Sequence, residues 1–381
     1  MKKSTKTALC LTSLLTLIII FMLIFVANRP HNASNKNASD FYVGADLSSI
    51  IEVEENGGKF FDCDGTEQDV FEILKENGMD SIRIRIWNDP VDENGVPYAN
   101  GHNDIETAIQ IGKRATDCGM RVLIDFHYSD FWADPSSQEA PKAWKNLTFT
   151  EKEQALYDYT KASLCQLMEN GVNVTMVQIG NETTSGLAGE TEWSKITTLM
   201  SAGSKAVREV SSEYDKEILV AMHFTGYNDY DWYASQLADY NVDYDVFASS
   251  YYPYWHGSLT GLEDSLRNII SKYNKKVLIA EFAYPYSFAN LDDTPNAISW
   301  GSSLDFPYTV NKDGQTELIN DIYKTAIALG DDCLGLFYWE PAWINVPGSD
   351  YVGSPWENQA LFDSAGRPLP ALRSFLFSEN H

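Results

Sequence analysis

Eight short apolar runs of β type alternate along this chain with longer amphipathic stretches. The runs, each a candidate strand, are Phe41–Leu47, Ser81–Trp87, Arg121–Tyr128, Thr175–Glu182, Glu217–Phe224, Asp245–Tyr252, Lys276–Ala283 and Leu334–Glu340. The candidate helices are Gln68–Asn77, Asp104–Cys118, Thr150–Asn170, Trp193–Val210, Asp231–Asp239, Leu262–Tyr273, Gln315–Leu329 and a last one near Leu369–Phe377. Near-continuous apolar strands that alternate with helices are typical of a parallel sheet covered on both faces.

Eight such units predict an α/β fold in which the sheet closes on itself, a (β/α)8 TIM barrel forming one domain over residues 41–381. The alternative is a doubly wound open sheet. That fold usually carries a glycine-rich phosphate loop after its first strand, and Val43-Gly-Ala-Asp-Leu-Ser48 is not such a loop. The closed barrel is therefore favoured.

The N-terminal segment carries an export signal. Lys2, Lys3 and Lys6 precede an uncharged, mostly apolar run over residues 7–28, and residues 29–40 form a polar linker. Basic residues before an apolar run place the N-terminus in the cytoplasm and the rest of the chain outside. The run is long for a signal peptide and about long enough to span a bilayer, so an uncleaved membrane anchor is favoured over a removed signal peptide.

The chain is acidic, with 54 Asp and Glu against 28 Lys and Arg and a formal net charge of −26. Such a surface repels phosphate backbones and argues against nucleic acid as a partner. It argues more weakly against polyanionic glycans. A neutral polysaccharide fits the charge better.

Polar and aromatic residues occupy the carboxyl end of every candidate strand. They are Asp46; Arg83, Arg85 and Trp87; Asp125 and His127; Asn181 and Glu182; His223; Tyr251 and Tyr252; Glu281; and Trp339 with Glu340. In a TIM barrel this end carries the active site. Buried charges that only stabilise the barrel, such as Asp46 with Arg83 or Arg85, would explain some of these residues but not the whole ring.

Glu182 and Glu281 are the strongest indication of chemistry, since each ends a buried strand and a lone charge there is costly. Cleavage of a glycosidic bond needs two facing carboxyl groups. We expect Glu281 to be the nucleophile, kept ionised by an arginine from the second strand and by the phenol of Tyr251 or Tyr252. Glu182 is then the acid/base, and a carboxyl separation of about 5–5.5 Å would make the mechanism retaining.

Ten residues, nine of them in this ring and the tenth, Trp255, in the loop after the sixth strand, are predicted to bind substrate. They are Asp46, Arg85, Trp87, His127, Asn181, His223, Tyr251, Tyr252, Trp255 and Trp339. Asn181 is expected to hydrogen-bond a sugar 2-hydroxyl, and the tryptophans to stack on pyranose rings. His127 and His223 lack the spacing of a metal site, so hydrogen bonding is the favoured role, with no metal and no organic cofactor predicted.

The motifs at these positions closely resemble those of the endo-β-1,4-galactanases, family 53 of the glycoside hydrolases. The matching stretches are Gly44-Ala-Asp-Leu-Ser48, Arg83-Ile-Arg-Ile-Trp-Asn-Asp-Pro90, Asp125-Phe-His-Tyr-Ser-Asp-Phe-Trp-Ala-Asp-Pro135, Gln178-Ile-Gly-Asn-Glu182, Ser250-Tyr-Tyr-Pro-Tyr-Trp-His-Gly257, Ala280-Glu-Phe-Ala-Tyr-Pro285, Phe337-Tyr-Trp-Glu-Pro-Ala-Trp343 and Trp356-Glu-Asn-Gln-Ala-Leu-Phe-Asp363. They occur in order, at barrel spacing, from about residue 41 onward.

The resemblance implies a retaining endo-hydrolase of β-1,4-galactan, the backbone of type I arabinogalactan and a side chain of pectin. It also implies that Glu182 matches the acid/base and Glu281 the nucleophile. Two departures stand out: Phe282 replaces the threonine that usually follows the nucleophile, and the loop Ser287–Asn296 has few of the ligands with which some bacterial members bind calcium. Calcium is therefore not predicted.

Two other functions remain open at the level of sequence. One is a related TIM-barrel endo-glycanase acting on β-mannan, xylan or glucan; the other is a non-catalytic surface glycan-binding protein. In each case we expect an extracellular protein, secreted or tethered to the outer face of the cell membrane through residues 7–28.

Overall fold

The computed structural model describes residues 41–348 and 353–379, and its central feature is a closed sheet of eight parallel strands in chain order. The strands are β1 (Tyr42–Asp46), β2 (Ser81–Ile86), β3 (Arg121–Phe126), β4 (Val174–Ile179), β5 (Leu219–Thr225), β6 (Val246–Ser250), β7 (Lys276–Phe282) and β8 (Cys333–Tyr338). Pairing of Gly44 in β1 with Phe337 in β8 closes the barrel. The predicted (β/α)8 TIM barrel is confirmed.

Helices surround the barrel and connect successive strands. They are α1 (Ile50–Glu55), α2 (Val70–Glu76), α3 (Ile105–Asp117), α4 (Phe149–Glu169), α5 (Trp193–Glu213), α6 (Tyr230–Asp239), α7 (Pro253–His256), α8 (Leu259–Tyr273) and α9 (Lys312–Ala328). The segment Pro370–Glu379 is a 3-10 helix rather than the predicted α-helix. The short helices α1 and α7 were not predicted, because one or two turns are too short to show a helical period.

The predicted leader (residues 1–28) and linker (residues 29–40) lie outside the described residues. Among the residues that are described, no helix is both long and apolar enough to cross a membrane.

The interior of the barrel has an apolar layer below a polar one. The apolar cluster consists of Tyr42, Leu123, Met176, Ala221, Val246, Ala248, Leu278, Ala280 and Phe337. Side chains two residues apart on a strand share a face. The next inward positions are therefore Asp125 after Leu123, Gln178 after Met176, His223 after Ala221 and Ser250 after Ala248. This alternation places a ring of polar groups directly above the apolar layer.

A glycine lets the barrel close over its apolar floor. A Cβ atom added at Gly44 would lie 2.2 Å from Cδ1 of Phe337, well inside van der Waals contact. Only glycine therefore allows the Phe337 ring to fill the interior beside β1.

Near the end of β7 the alternation is interrupted. Ser249 of β6 pairs with Ile279, but the next residue, Ser250, pairs with Glu281, so Ala280 is an extra residue. Such a bulge places two consecutive residues opposite one partner. Ala280 belongs to the inner cluster and the Glu281 carboxylate also reaches the barrel interior, where it contacts Arg83. The bulge thus turns Glu281 toward the polar ring.

Candidate active site

An open cleft of about 530 Å³ lies at the carboxyl ends of the strands, and both Glu182 and Glu281 line it. Of the positions predicted to bind substrate, those that line the same cleft are Arg85, His127, Asn181, Tyr252, Trp255 and Trp339. Those outside the lining are Asp46, Trp87, His223 and Tyr251. The structure therefore separates the predicted ring into groups that face the cleft and groups that lie behind it.

Trp87 and Tyr251, which do not line the cleft, form hydrogen bonds behind it. The Trp87 indole Nε1 donates to Nδ1 of His127 at 3.3 Å. The Tyr251 hydroxyl donates to the backbone oxygen of Gly257 at 2.8 Å. Because this bond turns the Tyr251 phenol away from Glu281, Tyr252 is the tyrosine that reaches that glutamate.

Arg83 in β2 is the electrostatic centre of the polar ring and is only 1% exposed. Its Nη1 lies 2.9 Å from Asp46 Oδ2, and its Nη2 lies 2.8 Å from both Asp125 Oδ2 and Glu281 Oε1. Nη2 also donates to Oδ1 of Asn181 at 2.9 Å. A buried charge needs paired and hydrogen-bonded neighbours. Arg83 provides them for three carboxylates from three different strands.

Glu281 is held by two donors. One carboxylate oxygen accepts from Arg83, and the other accepts from the Tyr252 hydroxyl at 3.0 Å. Burial raises the pKa of Glu281 above its ordinary value, and Asp125 and Asp46 raise it further, while Arg83 and the Tyr252 hydrogen bond oppose the shift. The two donors therefore favour the ionised form that a nucleophile needs.

Glu182 lies three residues beyond β4, on a backbone held in the left-handed region with φ of 42°. Its N–H donates to Nδ1 of His223 at 3.2 Å, and Gln138 donates through Nε2 to its carbonyl oxygen at 3.2 Å. A non-glycine residue with this φ persists only when its surroundings fix it. These contacts fix the direction in which the Glu182 side chain leaves the backbone.

His223 links Glu182 to the neighbouring strand β6. Because Nδ1 accepts the Glu182 N–H, the neutral ring carries its proton on Nε2, which lies 2.9 Å from Oγ of Ser250. Burial lowers the pKa of His223, and Arg83 lowers it further, so the ring stays neutral. Ser250 in turn lowers the pKa of Glu182, against the effect of burial. His223 therefore orients the backbone of Glu182 and connects it to Ser250.

The electrostatic environment of Glu182 differs from that of Glu281. Burial raises the pKa of Glu182 to about 8, and the charges of Glu281 and Asp134 contribute to the rise. Burial raises the pKa of both carboxyl groups, but the Arg83 and Tyr252 donors that favour an ionised carboxylate contact Glu281. This difference suits Glu182 to the acid role and Glu281 to the nucleophile role. At neutral pH Glu182 is mainly protonated.

A second buried ion pair lies beside this centre. Nη1 of Arg85 contacts Glu340 Oε1 at 2.5 Å, Nη2 donates to Ser49 Oγ at 2.7 Å, and the guanidinium lies 4.3 Å from the ring centroid of Trp132. Burial raises the pKa of Glu340 to about 7, against the effect of Arg85. Arg85 lines the cleft, and its Nε is buried without a hydrogen-bond partner.

Tryptophans form much of the remaining wall. Those that line the cleft are Trp132, Trp255, Trp339, Trp343 and Trp356. Trp339 and Trp356 pack edge to face with ring centroids 4.5 Å apart, while Trp132 and Trp343 stack at 6.2 Å. Aromatic surfaces of this kind suit the apolar faces of sugar rings.

Several residues of the site were not found from the sequence. They are Gln178, Ser250, Asp134 and His256, which hydrogen-bond or line the central groups. The period-2 alternation along β4 and β6 could have indicated Gln178 and Ser250, because each follows an inward apolar residue by two positions. Asp134 and His256 lie in loops, where no such period exists. Among the described residues, no cluster of three or more His, Cys, Asp or Glu side chains is placed to hold a metal ion.

Residues 42–375 match the protein family described as glycosyl hydrolase family 53. The chain is 45% identical over 377 residues to an endo-β-1,4-galactanase of Bacillus subtilis (strain 168), covering 90% of this chain and 86% of that protein. It is 34% identical over 359 residues to an arabinogalactan endo-β-1,4-galactanase of Cellvibrio japonicus (strain Ueda107), covering 91% of this chain and 92% of that protein.

Solved structures give the same similarity. The catalytic domain of a family 53 glycoside hydrolase from Ignisphaera aggregans superposes with a TM-score of 0.83 at 38% identity, covering 90% of this chain and 97% of that one. A fungal β-1,4-galactanase structure superposes with a TM-score of 0.74 at 28% identity, covering 88% and 98% of the two chains.

Proposed function

Because the chain belongs to glycosyl hydrolase family 53, and is therefore a glycoside hydrolase, we propose that it is a retaining endo-hydrolase of β-1,4-galactosidic linkages in type I arabinogalactan and pectic galactan. Glu182 is the acid/base and Glu281 the nucleophile. Galactanase activity is supported by the relatives, two of which are named for it. The observation that carries the residue roles is the pair of glutamates in one cleft, of which Glu281 is held by Arg83 and Tyr252.

The proposed reaction has two steps. The Glu281 carboxylate attacks C1 of the galactosyl residue while Glu182 protonates the leaving oxygen, so the glycosidic bond breaks as a covalent galactosyl ester forms. Glu182, now ionised, then removes a proton from water, which attacks C1 and releases Glu281. Two inversions leave the β configuration unchanged.

Substrate contacts are assigned to the groups that face the cleft. Asn181 is suited to the 2-hydroxyl, although one of its N–H groups is used by the backbone oxygen of Ala133 at 2.8 Å. Arg85 supplies positive charge in the cleft wall, and Trp255 and Trp339 offer ring faces. A polymeric substrate must be cut outside the cell, which agrees with the export predicted from residues 1–28.

Product analysis on linear β-1,4-galactan tests the proposal directly. Mass spectrometry should find internal cleavage into galacto-oligosaccharides, and NMR of the fresh product should show the β anomer first. β-Mannan, xylan and β-glucan in the same panel test the alternative endo-glycanases. Initial release of the α anomer would contradict the retaining mechanism, and binding without cleavage would indicate a glycan-binding protein.

Replacement of the proposed acid, Glu182→Gln, should lower turnover on galactan by about 10²–10⁴-fold, as for loss of one general acid. On an aryl galactobioside with a good leaving group such as dinitrophenolate, the rate of the first step should fall much less. The reason is that dinitrophenolate leaves without protonation. Steady-state and burst kinetics on both substrates measure the difference. An equal loss on both would show that Glu182 is not the acid.

The pH profile provides a separate test of the same residue. Glu182 must be protonated in the first step, so kcat/KM should fall as pH rises through about 8, the pKa to which burial, Glu281 and Asp134 raise this carboxyl. Asp134→Asn removes a negative charge that helps to raise the pKa of Glu182. The fall in kcat/KM at alkaline pH should therefore begin at a lower pH in this variant. Measurement of kcat/KM from about pH 4 to about pH 10 would detect the shift. An identical pH dependence in the native enzyme and in Asp134→Asn would show that Asp134 does not influence the group that titrates.

A further inference from the structure

An exposed aromatic side chain lies beyond the cleft, in the loop that follows β7. Trp300 is 82% exposed, far more than any other large apolar side chain among the described residues. Aromatic faces are suited to contacts with ligands, so a tryptophan left this open near a cleft is a candidate binding surface.

The ring of Trp300 is held by its neighbours. It packs edge to face on Phe288, with centroids 5.4 Å apart, and Phe288 packs on Phe306 at 5.2 Å. The backbone just before it is fixed as well, because Asn358 donates through Nδ2 to the carbonyl oxygen of Ile298 at 2.7 Å. The exposed face is therefore presented at a defined place, which lowers the entropic cost of binding.

This surface lies close to the cleft. Ala297 lines the cleft and lies three residues before Trp300, so the two Cα atoms are at most roughly 10 Å apart. On the other side, Phe306 contacts Tyr254 at 5.9 Å, and Tyr254 contacts Trp255 at 4.8 Å. Trp255 lines the cleft and is 48% exposed. Aromatic contacts thus extend from the cleft wall to Trp300.

The charge of the loop indicates what kind of ligand it could accept. Residues 277–311 contain no Lys, Arg or His, and Asp292, Asp293 and Asp305 are the charged residues after Glu281. An anionic ligand would find no counter-charge in this loop. An uncharged sugar needs none, and galactose, whose axial O4 leaves the C–H bonds at positions 3, 4 and 5 on one face, offers an apolar patch to an aromatic ring.

We propose that Trp300 is a peripheral binding platform that stacks on a galactosyl residue of the polysaccharide where the chain leaves the cleft past Trp255 and Ala297. This inference depends on the proposed galactanase function. The platform adds affinity for long chains without taking part in bond cleavage. It therefore distinguishes polymer from short oligosaccharide.

Comparison of Trp300→Ala with the native enzyme on two substrates tests this. KM for long-chain β-1,4-galactan should rise about three- to tenfold, the effect of losing one aromatic contact, while kcat and the kinetics on a galactotriosyl substrate stay unchanged. Trp300→Phe should retain most of the affinity. Trp232→Ala removes a 47% exposed tryptophan on α6, outside the cleft lining, and serves as the matched control with native kinetics.

A binding measurement supplies a readout without turnover. In a Glu281→Gln background, affinity electrophoresis in gels containing soluble galactan should show weaker retardation when Trp300→Ala is added. Unchanged KM and retardation in Trp300→Ala, or an equal loss on the short substrate, would overturn the platform while leaving the galactanase proposal intact. Failure of the native enzyme to cleave or bind galactan would overturn both.

Discussion

Replacement of the proposed nucleophile, Glu281→Ala, should abolish hydrolysis of β-1,4-galactan, with a loss above the roughly 10⁴-fold upper range for a general acid. The carboxylate is the group that would form the covalent bond, and Asp46 and Asp125, the other carboxylates paired with Arg83, do not line the cleft and cannot replace it. Reducing-sugar release over a long incubation measures the residual rate. Substantial residual hydrolysis would remove Glu281 as nucleophile.

Azide extends this test to the stereochemistry. In Glu281→Ala or Glu281→Gly the small anion can enter the vacated space and attack C1 from the nucleophile side. An activated galactoside should then give an α-galactosyl azide, of inverted configuration, with rate restored in proportion to azide. The matched control is Glu357→Gln, since Glu357 is similarly buried, 2% against 5% exposed, but does not line the cleft. It should keep native activity and show no response to azide.

Replacement of the central arginine, Arg83→Met, should destabilise the protein by about 3–5 kcal/mol, the usual effect of removing one partner from a buried ion pair. Methionine fills a similar volume but removes the cation that Asp46, Asp125 and Glu281 share. Denaturant-induced unfolding at neutral pH measures the loss. Arg114→Met is the control, because Arg114 pairs with Glu54 and Asp69 in a partly exposed site, where ion pairs contribute about 1 kcal/mol or less.

The destabilisation should depend on pH in a defined direction. Burial alone would raise the pKa of Asp125, but Arg83 and His127 hold it below its ordinary value. A lowered pKa stabilises the folded protein above the ordinary carboxyl range, and that contribution disappears as pH falls through the folded value. Without Arg83 the carboxyl groups become protonated at a higher pH. The difference in the free energy of unfolding between the native protein and Arg83→Met should therefore become smaller as the pH falls. A difference that does not change with pH would show that packing, and not charge, accounts for the loss of stability.

The barrel and the glutamate pair could be predicted because both depend on local pattern. Apolar runs with polar ends define each strand and its carboxyl terminus, and this places Glu182 and Glu281 at the same end of the fold. The partners of each group could not be predicted from the pattern. Asp46 pairs with Arg83 inside the barrel, which is the stabilising role considered as an alternative. Tyr251 and Tyr252 are adjacent in sequence, but Tyr252 donates to Glu281 while Tyr251 donates to the backbone of Gly257.

Loop residues were the least accessible from sequence. Asp134 and Trp300 have no periodic neighbours that would fix their direction, and their positions depend on hydrogen bonds and ring contacts with distant parts of the chain. Trp300 shows this clearly, since its place next to the cleft depends on Phe288, Phe306 and Asn358. Backbone conformation at Glu182, with positive φ, likewise depends on contacts from Gln138 and His223.

The extra residue in β7 has a consequence for how this enzyme can be altered. Ser250 pairs with Glu281 because Ala280 is not counted in the ladder. Leu278 and Ala280 both face the barrel interior, so in a strand without the bulge Glu281 would follow Ala280 onto the opposite face, toward the surrounding helices. Substitutions at Ala280 that keep the bulge change local packing, whereas a change that made the pairing with β6 regular while keeping Ala280 would turn Glu281 away from Glu182. The irregular register of this strand, more than its composition, decides whether the two glutamates meet.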